Sequence, residues 1–355
     1  MELTPSIAEY AQPEEWALHD GCWLAWPCHE DLWGPSLLDV QVEWSALCRA
    51  IAAPGKRRQE RLHVLVDRRE DFPRVALLLG GLPFQLHPVR YGDIWLRDTA
   101  PIALRSPDGE RLWARFRFNG WGGKYVLEHD DKVALAVADQ TTWPRIDAPF
   151  VLEGGAVEVD GQGTCITTCQ CLLNPNRNQP VALAVAQEDI EGRLKAWLGV
   201  RKIIWLDHGL QNDHTDGHVD TLARFLAPGV VACMRPQNDD PNAAALNSIF
   251  EVLSASTDAV ERRVEVIALP SPGRVETAEG ALMPASYLNF YIANNTVVVP
   301  TYGVANDDLA VRRLAECFKD RQVVGCSARA ILAGGGAFHC ITQQIPAGKE
   351  TPDDA

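Results

Sequence analysis

Near the C-terminal end of the chain, GGGAFHCITQQIP (residues 334–346) places three glycines ahead of His339 and Cys340 in an otherwise apolar stretch. A thiol in that setting has two readings. Cysteine is often a small buried hydrophobe, and a glycine run can be a turn feeding a strand. Alternatively, the glycines let a substrate approach the backbone closely, and Cys340 is a nucleophile, which then needs partners that form a thiolate and move protons. Three other stretches interrupt strand-like patterns with polar groups: GDIWLRDTAP (92–101), LEGGAVEVDG (152–161) and NDHTDGHVDTLARF (212–225). Burying such groups costs on the order of several kcal/mol unless they are paired or used. His218 and Asp220 alternate in GHVDTLARF, so a strand would send both to one side. Taken singly, His218 also fits a hydrogen-bonded core histidine, Asp220 a turn acid, and Asp98 an ion-pair partner of Arg97. Taken jointly, the four stretches hold a thiol, a histidine and the carboxylates of Asp98, Glu153 and Asp220. That much negative charge disfavours a thiolate in ordinary acyl transfer. It suits an electrophile that brings positive charge, and a guanidinium offers a planar fork of N–H donors that two aspartates can accept.

The elements that must position these residues follow from the rest of the chain. At 355 residues, 46% hydrophobic and 23% charged, the composition is globular, and the length allows two domains or one large architecture. A formal net charge of −14 argues against a nucleic-acid partner, because phosphate binding needs a basic face. The N-terminal MELTPSIAEYAQPEEW has no basic start followed by an apolar run, and no stretch reaches the roughly 18 apolar residues of a membrane span. The expectation is a cytoplasmic protein whose 10 cysteines are thiols. The cluster TCITTCQC, with Cys165, Cys169 and Cys171, lacks a second cysteine pair at zinc spacing and reads as strand thiols.

Strand-like runs occur at HVLVD, IWLRDTAPIAL, LWARFRF, AVEVDGQGTCITT, RKIIWLD, HVDTLARF with GVVACM, VEVIALP and YLNFYIANNTVVVP. DGQG, APG and ANN are the tight polar turns of hairpins. Helical faces are formed by Leu246, Ile249, Phe250 and Leu253, by Val311, Leu314, Ala315 and Phe318, and by Ile190, Leu194 and Trp197 in a helix expected over Pro180–Leu198. Hairpin-like units begin near Trp95, Leu152, His218, Tyr287 and Gly334, a spacing of roughly 60 residues that predicts a repeated ββαβ unit. With no linker dividing the chain, residues 1–346 are expected to form one domain built around a centre, and 347–355 a disordered tail.

The motifs IWLRD, FNGWGGKY, LEGG followed by LLNPNRN, TDGHVD and GGGAFHCITQQIP, in that order between Trp16 and Pro346, resemble the agmatine deiminase and bacterial-type peptidylarginine deiminase family of the guanidino-group-modifying superfamily. The resemblance implies a single-domain α/β fold, a five-unit pseudo-symmetric propeller of ββαβ units with the site at its central mouth. It places the nucleophile at Cys340, the general acid/base at His218, guanidinium-binding aspartates at Asp98 and Asp220, and at Glu153 a carboxylate contacting the histidine or the guanidinium. It makes Trp95 a wall of the substrate slot and Trp121 a second wall or a core residue. Ala100 stands where many relatives carry glycine, and His214 where an acid is expected for the substrate's distal amine, leaving Asp213 and Asp216 as substitutes.

The implied reaction is hydrolysis of a small cationic guanidino substrate, agmatine, to N-carbamoylputrescine and ammonia through a cysteine thiouronium, a step of putrescine and polyamine synthesis that needs neither a metal nor an organic cofactor. Arginine or peptidyl-arginine is the alternative substrate, with Arg97, Arg115 and Arg117 available for a carboxylate. An amidinotransferase and a non-catalytic guanidino-binding protein are the further alternatives. Relatives imply a homo-oligomer.

Overall fold

The computed structural model describes residues 7–178, 183–237 and 239–349. Among them, β-branched and aromatic runs form strands, and every parallel crossover between neighbouring strands of the repeated pattern carries a helix. The strands β1 (His19–Ala25), β2 (Arg61–Leu65) and β3 (Phe84–His87) are parallel, and the helix Leu37–Ile51 lies between β1 and β2. β4 (Ile102–Arg105) and β5 (Arg111–Arg117) make an antiparallel hairpin, and β5 then pairs in parallel with β6 (Arg145–Val151) across the helix Asp130–Ala138.

The same order recurs three times. β7 (Glu158–Val159), β8 (Thr164–Thr168) and β9 (Lys202–Leu206) enclose the helix Leu183–Leu198. β10 (Ala223–Ala227), β11 (Val230–Arg235) and β12 (Glu265–Pro270) enclose Ala243–Ala255. β13 (Tyr291–Ile292), β14 (Thr296–Thr301) and β15 (Gln322–Ser327) enclose Asp307–Cys317. Finally β16 (Gln343–Pro346) pairs antiparallel with β1, so the last sheet joins the two ends of the chain in the order β16-β1-β2-β3. The result is a mixed α/β fold of five small sheets.

The helices pack as their patterns predict. Leu246, Ile249 and Leu253 are buried on one face of Ala243–Ala255, and Ile190 and Leu194 on Leu183–Leu198. Asp307 and Asp308 sit in the first turn of Asp307–Cys317, where the helix dipole favours them. There Leu314 is buried and Ala315 is exposed. The expected start of a helix at Pro180 lies outside the described residues, as does the tail from residue 350. At Ala347 the backbone N–H still donates to the carbonyl of Leu18 at 2.7 Å.

Three strand expectations need correction: Cys165 lies in β8, but Cys169 and Cys171 lie in the helical turn Cys169–Leu172 that follows it, and the other two concern chemistry. IWLRD is not a strand: Leu96–Thr99 is one helical turn, and β4 begins only at Ile102. Likewise His218 precedes a 3-10 turn over Val219–Thr221, with β10 starting at Ala223. A ladder would send neighbouring side chains to opposite faces. The turns ahead of the hairpins instead aim Asp98 and Asp220 inward from the strand ends.

Candidate active site

The residue that opens each hairpin sits at one end of its sheet. Asp98 precedes β4, Glu153 precedes β7, and His218 and Asp220 precede β10, while Cys340 precedes β16. The structure brings all five together, and all are buried, Glu153, His218 and Asp220 completely. Asn289, ahead of β13, completes the set: its Nδ2 donates to the Cys340 Sγ at 3.1 Å, and its Oδ1 accepts from the backbone N–H groups of Ala337 and Cys340 at 3.1 and 3.3 Å. The Cys340 thiol faces Asp220 Oδ2 at 3.5 Å.

The glycine run ahead of Cys340 is explained by what a side chain there would strike. A Cβ on Gly334 would lie 2.5 Å from the Trp33 ring and 2.7 Å from the Trp95 ring, and one on Gly336 would lie 2.8 Å from Trp95 and 2.9 Å from the Cys340 Sγ. At Gly335 it would lie 2.3 Å from His214 Nδ1, and the backbone there has φ +107°, a region that favours glycine. Bare backbone is one wall of the cleft that reaches the thiol.

That cleft holds about 260 Å³ and ends at Asp98 and Cys340. Trp95 and Trp121 are among the residues that line it. Trp95 Nε1 and Trp33 Nε1 donate to the two oxygens of Asp93 at 2.7 and 2.9 Å, and Trp121 Nε1 donates to Asp98 Oδ2 at 2.8 Å. Trp121 holds a left-handed backbone, φ 53°, ψ 52°, a strained conformation that persists where surroundings fix it.

The electrostatics divide the carboxylates. Burial, reinforced by Asp220 and Glu153 against His218 and Trp121, holds the Asp98 carboxyl above its usual range. Burial pushes the same way at Asp220, but His339, whose Nδ1 is 2.7 Å from Asp220 Oδ2, outweighs it and keeps that carboxyl low. Glu153 is likewise held low, against burial, by His218 and Arg177, whose Nε donates to it at 2.9 Å. Burial opposes a charged His218, yet Asp98 at 3.7 Å, Cys171 and Glu153 at 3.9 Å leave its imidazole well above the ordinary histidine range. Both ring nitrogens of His218 and Asp220 Oδ1 are buried with no hydrogen-bond partner among the described residues. Burial, then Asp220 and Asp98, drive the Cys340 thiol well above its usual range, with Ala337 N–H and Asn289 pulling the other way.

Two predicted residues are not in the cleft. Asp213 accepts from the N–H groups of Thr215, Gly217 and His218, and so shapes the turn that presents His218. Asp216 is paired with Lys124 and Arg177, each at 2.7 Å. His214 does line the cleft, stacked on Tyr125 with centroids 5.5 Å apart. Sequence reasoning also passed over Asn289 and a buried layer behind Asp220. There His339 bridges Asp220 to Glu15 Oε2 at 2.8 Å, and Glu15 forms an ion pair with Arg224, also at 2.8 Å. Asn289 was visible as a polar residue in the apolar run YLNFYI, and Arg177 stood inside LLNPNRN; Glu15, in PEEW, carried no signal. One further group of possible metal ligands, Glu153, Cys171 and His218, shares atoms with this site.

The chain can now be set beside known proteins. A family model described as Porphyromonas-type peptidyl-arginine deiminase matches residues 11–346. A relative from Pectobacterium atrosepticum is 36% identical over 368 residues, covering 98% of this chain and 97% of that one. The solved agmatine deiminase of Enterococcus faecalis superposes with a TM-score of 0.88 at 32% identity, covering 97% of this chain and 98% of that one. A substrate-bound agmatine deiminase variant of C. jejuni superposes with a TM-score of 0.84 at 26% identity, over 96% of this chain and 97% of that one.

Proposed function

Because the chain belongs to the Porphyromonas-type peptidyl-arginine deiminase family, we propose that it hydrolyses agmatine to N-carbamoylputrescine and ammonia. The observation that carries this reading is the convergence of the Cys340 thiol and the Asp98 carboxylate at the floor of a tryptophan-walled cleft with Asp220 and His218 buried directly behind them. We read residues 1–346 as one five-unit pseudo-symmetric propeller. The shared strand order and helix placement of the five sheets support this, as does the contribution of a residue to one site from the start of each hairpin unit. A homo-oligomer, active in the cytoplasm on a small cationic substrate, completes the proposal.

Asp98 and Asp220 accept the guanidinium N–H groups, and Trp95 and Trp121 flank its plane. The positive charge offsets the carboxylates that keep the thiol protonated, so Cys340 ionises as substrate binds, its proton leaving through the cleft. The thiolate attacks the guanidinium carbon. His218, charged in the resting site, protonates one amino nitrogen; the C–N bond breaks and ammonia departs, leaving a thiouronium on Cys340. Neutral His218 then takes a proton from water as its oxygen adds to the same carbon. Collapse breaks the C–S bond, returning the electron pair and the hydroxyl proton to Cys340 and releasing the ureido product. Glu153, held ionised by Arg177, stabilises the imidazolium. The ammonia takes up the first proton, which balances the reaction.

Arginine fits less well. Of the candidate cations, Arg97 is buried against Gln343, Gln344 and Glu15, Arg115 pairs with Asp147, and none of Arg97, Arg115 and Arg117 lines the cleft. The test is a panel of guanidines assayed for ureido product and ammonia with the wild type and Cys340→Ser. Agmatine should be the substrate of highest kcat/KM among agmatine, arginine and a peptidyl-arginine, and the variant should lose about a thousandfold or more in turnover while remaining folded. Turnover in Cys340→Ser near the wild-type rate would end the covalent mechanism.

A further inference from the structure

The floor of the cleft is charged, but its rim is not. The exposed lining residues are Leu32 and Tyr125, at 43% and 42% exposure, and the small Ala333, with Leu127 and His214 partly buried beside them. Asp93 and Asp98 are the charged lining residues among those described. Both lie deep, and the two oxygens of Asp93 are taken by the Trp33 and Trp95 indoles. The ions beside the rim in sequence, Asp31, Lys124, Glu128, Asp213 and Asp216, are not among the lining residues; Lys124 pairs with Asp216, Glu128 with His129, and Asp213 accepts from the backbone of its own turn. His214 occupies the rim as a ring held on two sides, stacked on Tyr125 and abutting the backbone of Gly335.

Resting on the deiminase reading above, we infer that this enzyme recognises the alkyl arm of its substrate rather than a charge at the arm's far end, so its substrates are alkylguanidines with neutral as well as cationic tails. The methylenes leave water against Trp33, Tyr125 and Leu32, which is favourable whatever follows them. An ammonium at the rim meets aromatic faces and water, an attraction worth only a small factor. A carboxylate there meets no cation among the lining residues and is repelled by the carboxylates below it, so it is disfavoured. Guanidinium capture by Asp98 and Asp220 is the same for every member of the class. His214 sets this breadth because its ring fills the rim position from which an acid would select an ammonium.

The experiment compares kcat/KM for butylguanidine, agmatine and 4-guanidinobutanoate, following ureido product, in the wild type and in His214→Glu. In the wild type, butylguanidine should fall within about tenfold of agmatine, with a ratio insensitive to salt, and 4-guanidinobutanoate should be about a hundredfold or more poorer. His214→Glu should raise the ratio of agmatine to butylguanidine by at least about tenfold, most at low salt. A wild type that prefers agmatine by more than about a hundredfold overturns the inference. The ammonium would then be meeting an acid, such as Asp39 of the groove that adjoins the cleft at Ser36 and Ala333. An unchanged ratio in His214→Glu overturns it as well, since His214 would then not face the tail. If no guanidine yields a ureido product, it is the deiminase reading that has failed.

Discussion

Asp220→Asn separates the two tasks of that carboxylate, because the thiol and the substrate should respond in opposite directions. In the resting enzyme Asp220 Oδ2 lies 3.5 Å from the Cys340 Sγ, and its charge is one cause of the thiol's resistance to ionisation. Two unit charges at that distance with an effective dielectric near 20 repel by roughly 5 kcal/mol, an upper bound for removing one of them. Even a third of this, about 1.6 kcal/mol, raises the thiolate fraction at neutral pH by more than about tenfold. The amide keeps the shape and can still accept from His339. Alkylation of Cys340 by iodoacetamide at pH 7.5, read by intact mass with Cys340→Ser as the control for other thiols, should therefore accelerate at least about tenfold. Deimination should fall by about a hundredfold or more, because the guanidinium loses an ionised acceptor and the paired charge that orients it. If Cys340 of the variant alkylates no faster than in the wild type, the thiol is not held protonated by Asp220. If turnover survives, Asp220 does not hold the substrate.

In His218→Asn, thiouronium should form slowly and its hydrolysis stall, so exposure to agmatine should leave a mass adduct on Cys340; an adduct on another cysteine would reassign the nucleophile. Agmatine should exceed arginine in kcat/KM by at least about tenfold, since arginine would bring its carboxylate to a rim without a cation; equal rates would mean that an arginine reaches the rim in the complex. Asp130 accepts from Gly92 N–H at 2.7 Å, and burial pushes its carboxyl up to about 7, so the folded state prefers it protonated. Its contribution to stability is therefore full below the unfolded value near 4 and is lost as pH rises towards 7, and Asp130→Asn should gain roughly 1–3 kcal/mol on the wild type between pH 5 and pH 8, read as a Tm difference that widens with pH.

What could be read beforehand was whatever depends on residue type in a short window. Hairpins appeared because DGQG, APG and ANN dictate tight turns between β-branched runs, and Cys340 stood out as a candidate nucleophile because three adjacent glycines have few other uses. The pairing of β1 with β16 was hidden, since nothing local in HDGCWLA specifies a partner more than 300 residues away. The alternation in GHVD was read with the period of a strand, when a turn fixed by Asp213 was shaping it. That error had a consequence for the site. An acid engaged by three backbone N–H groups looks in sequence like an acid free to bind an amine, and only the fold tells them apart.

The buried charges explain why such a site is stable empty and reactive when filled. Arg177 is committed to Glu153 and Asp216, Arg224 to Glu15 and Glu158, and His339 to Asp220 and Glu15. Among the described residues Asp98 receives the N–H groups of Trp121 and Gly155, with His218 at 3.7 Å, and burial, reinforced by Asp220 and Glu153, raises its carboxyl. On the proposed reading a guanidinium, rich in N–H donors, brings positive charge to Asp98 and Asp220, and that charge would release the thiolate 3.5 Å from Asp220. On the same reading the Cys340 thiol, raised by burial and by Asp220 and Asp98, should stay protonated and slow to react until substrate binds. The proposal thus makes binding and activation of Cys340 one electrostatic event, and a neutral isostere of the guanidinium that fits the slot should bind without raising the reactivity of the thiol.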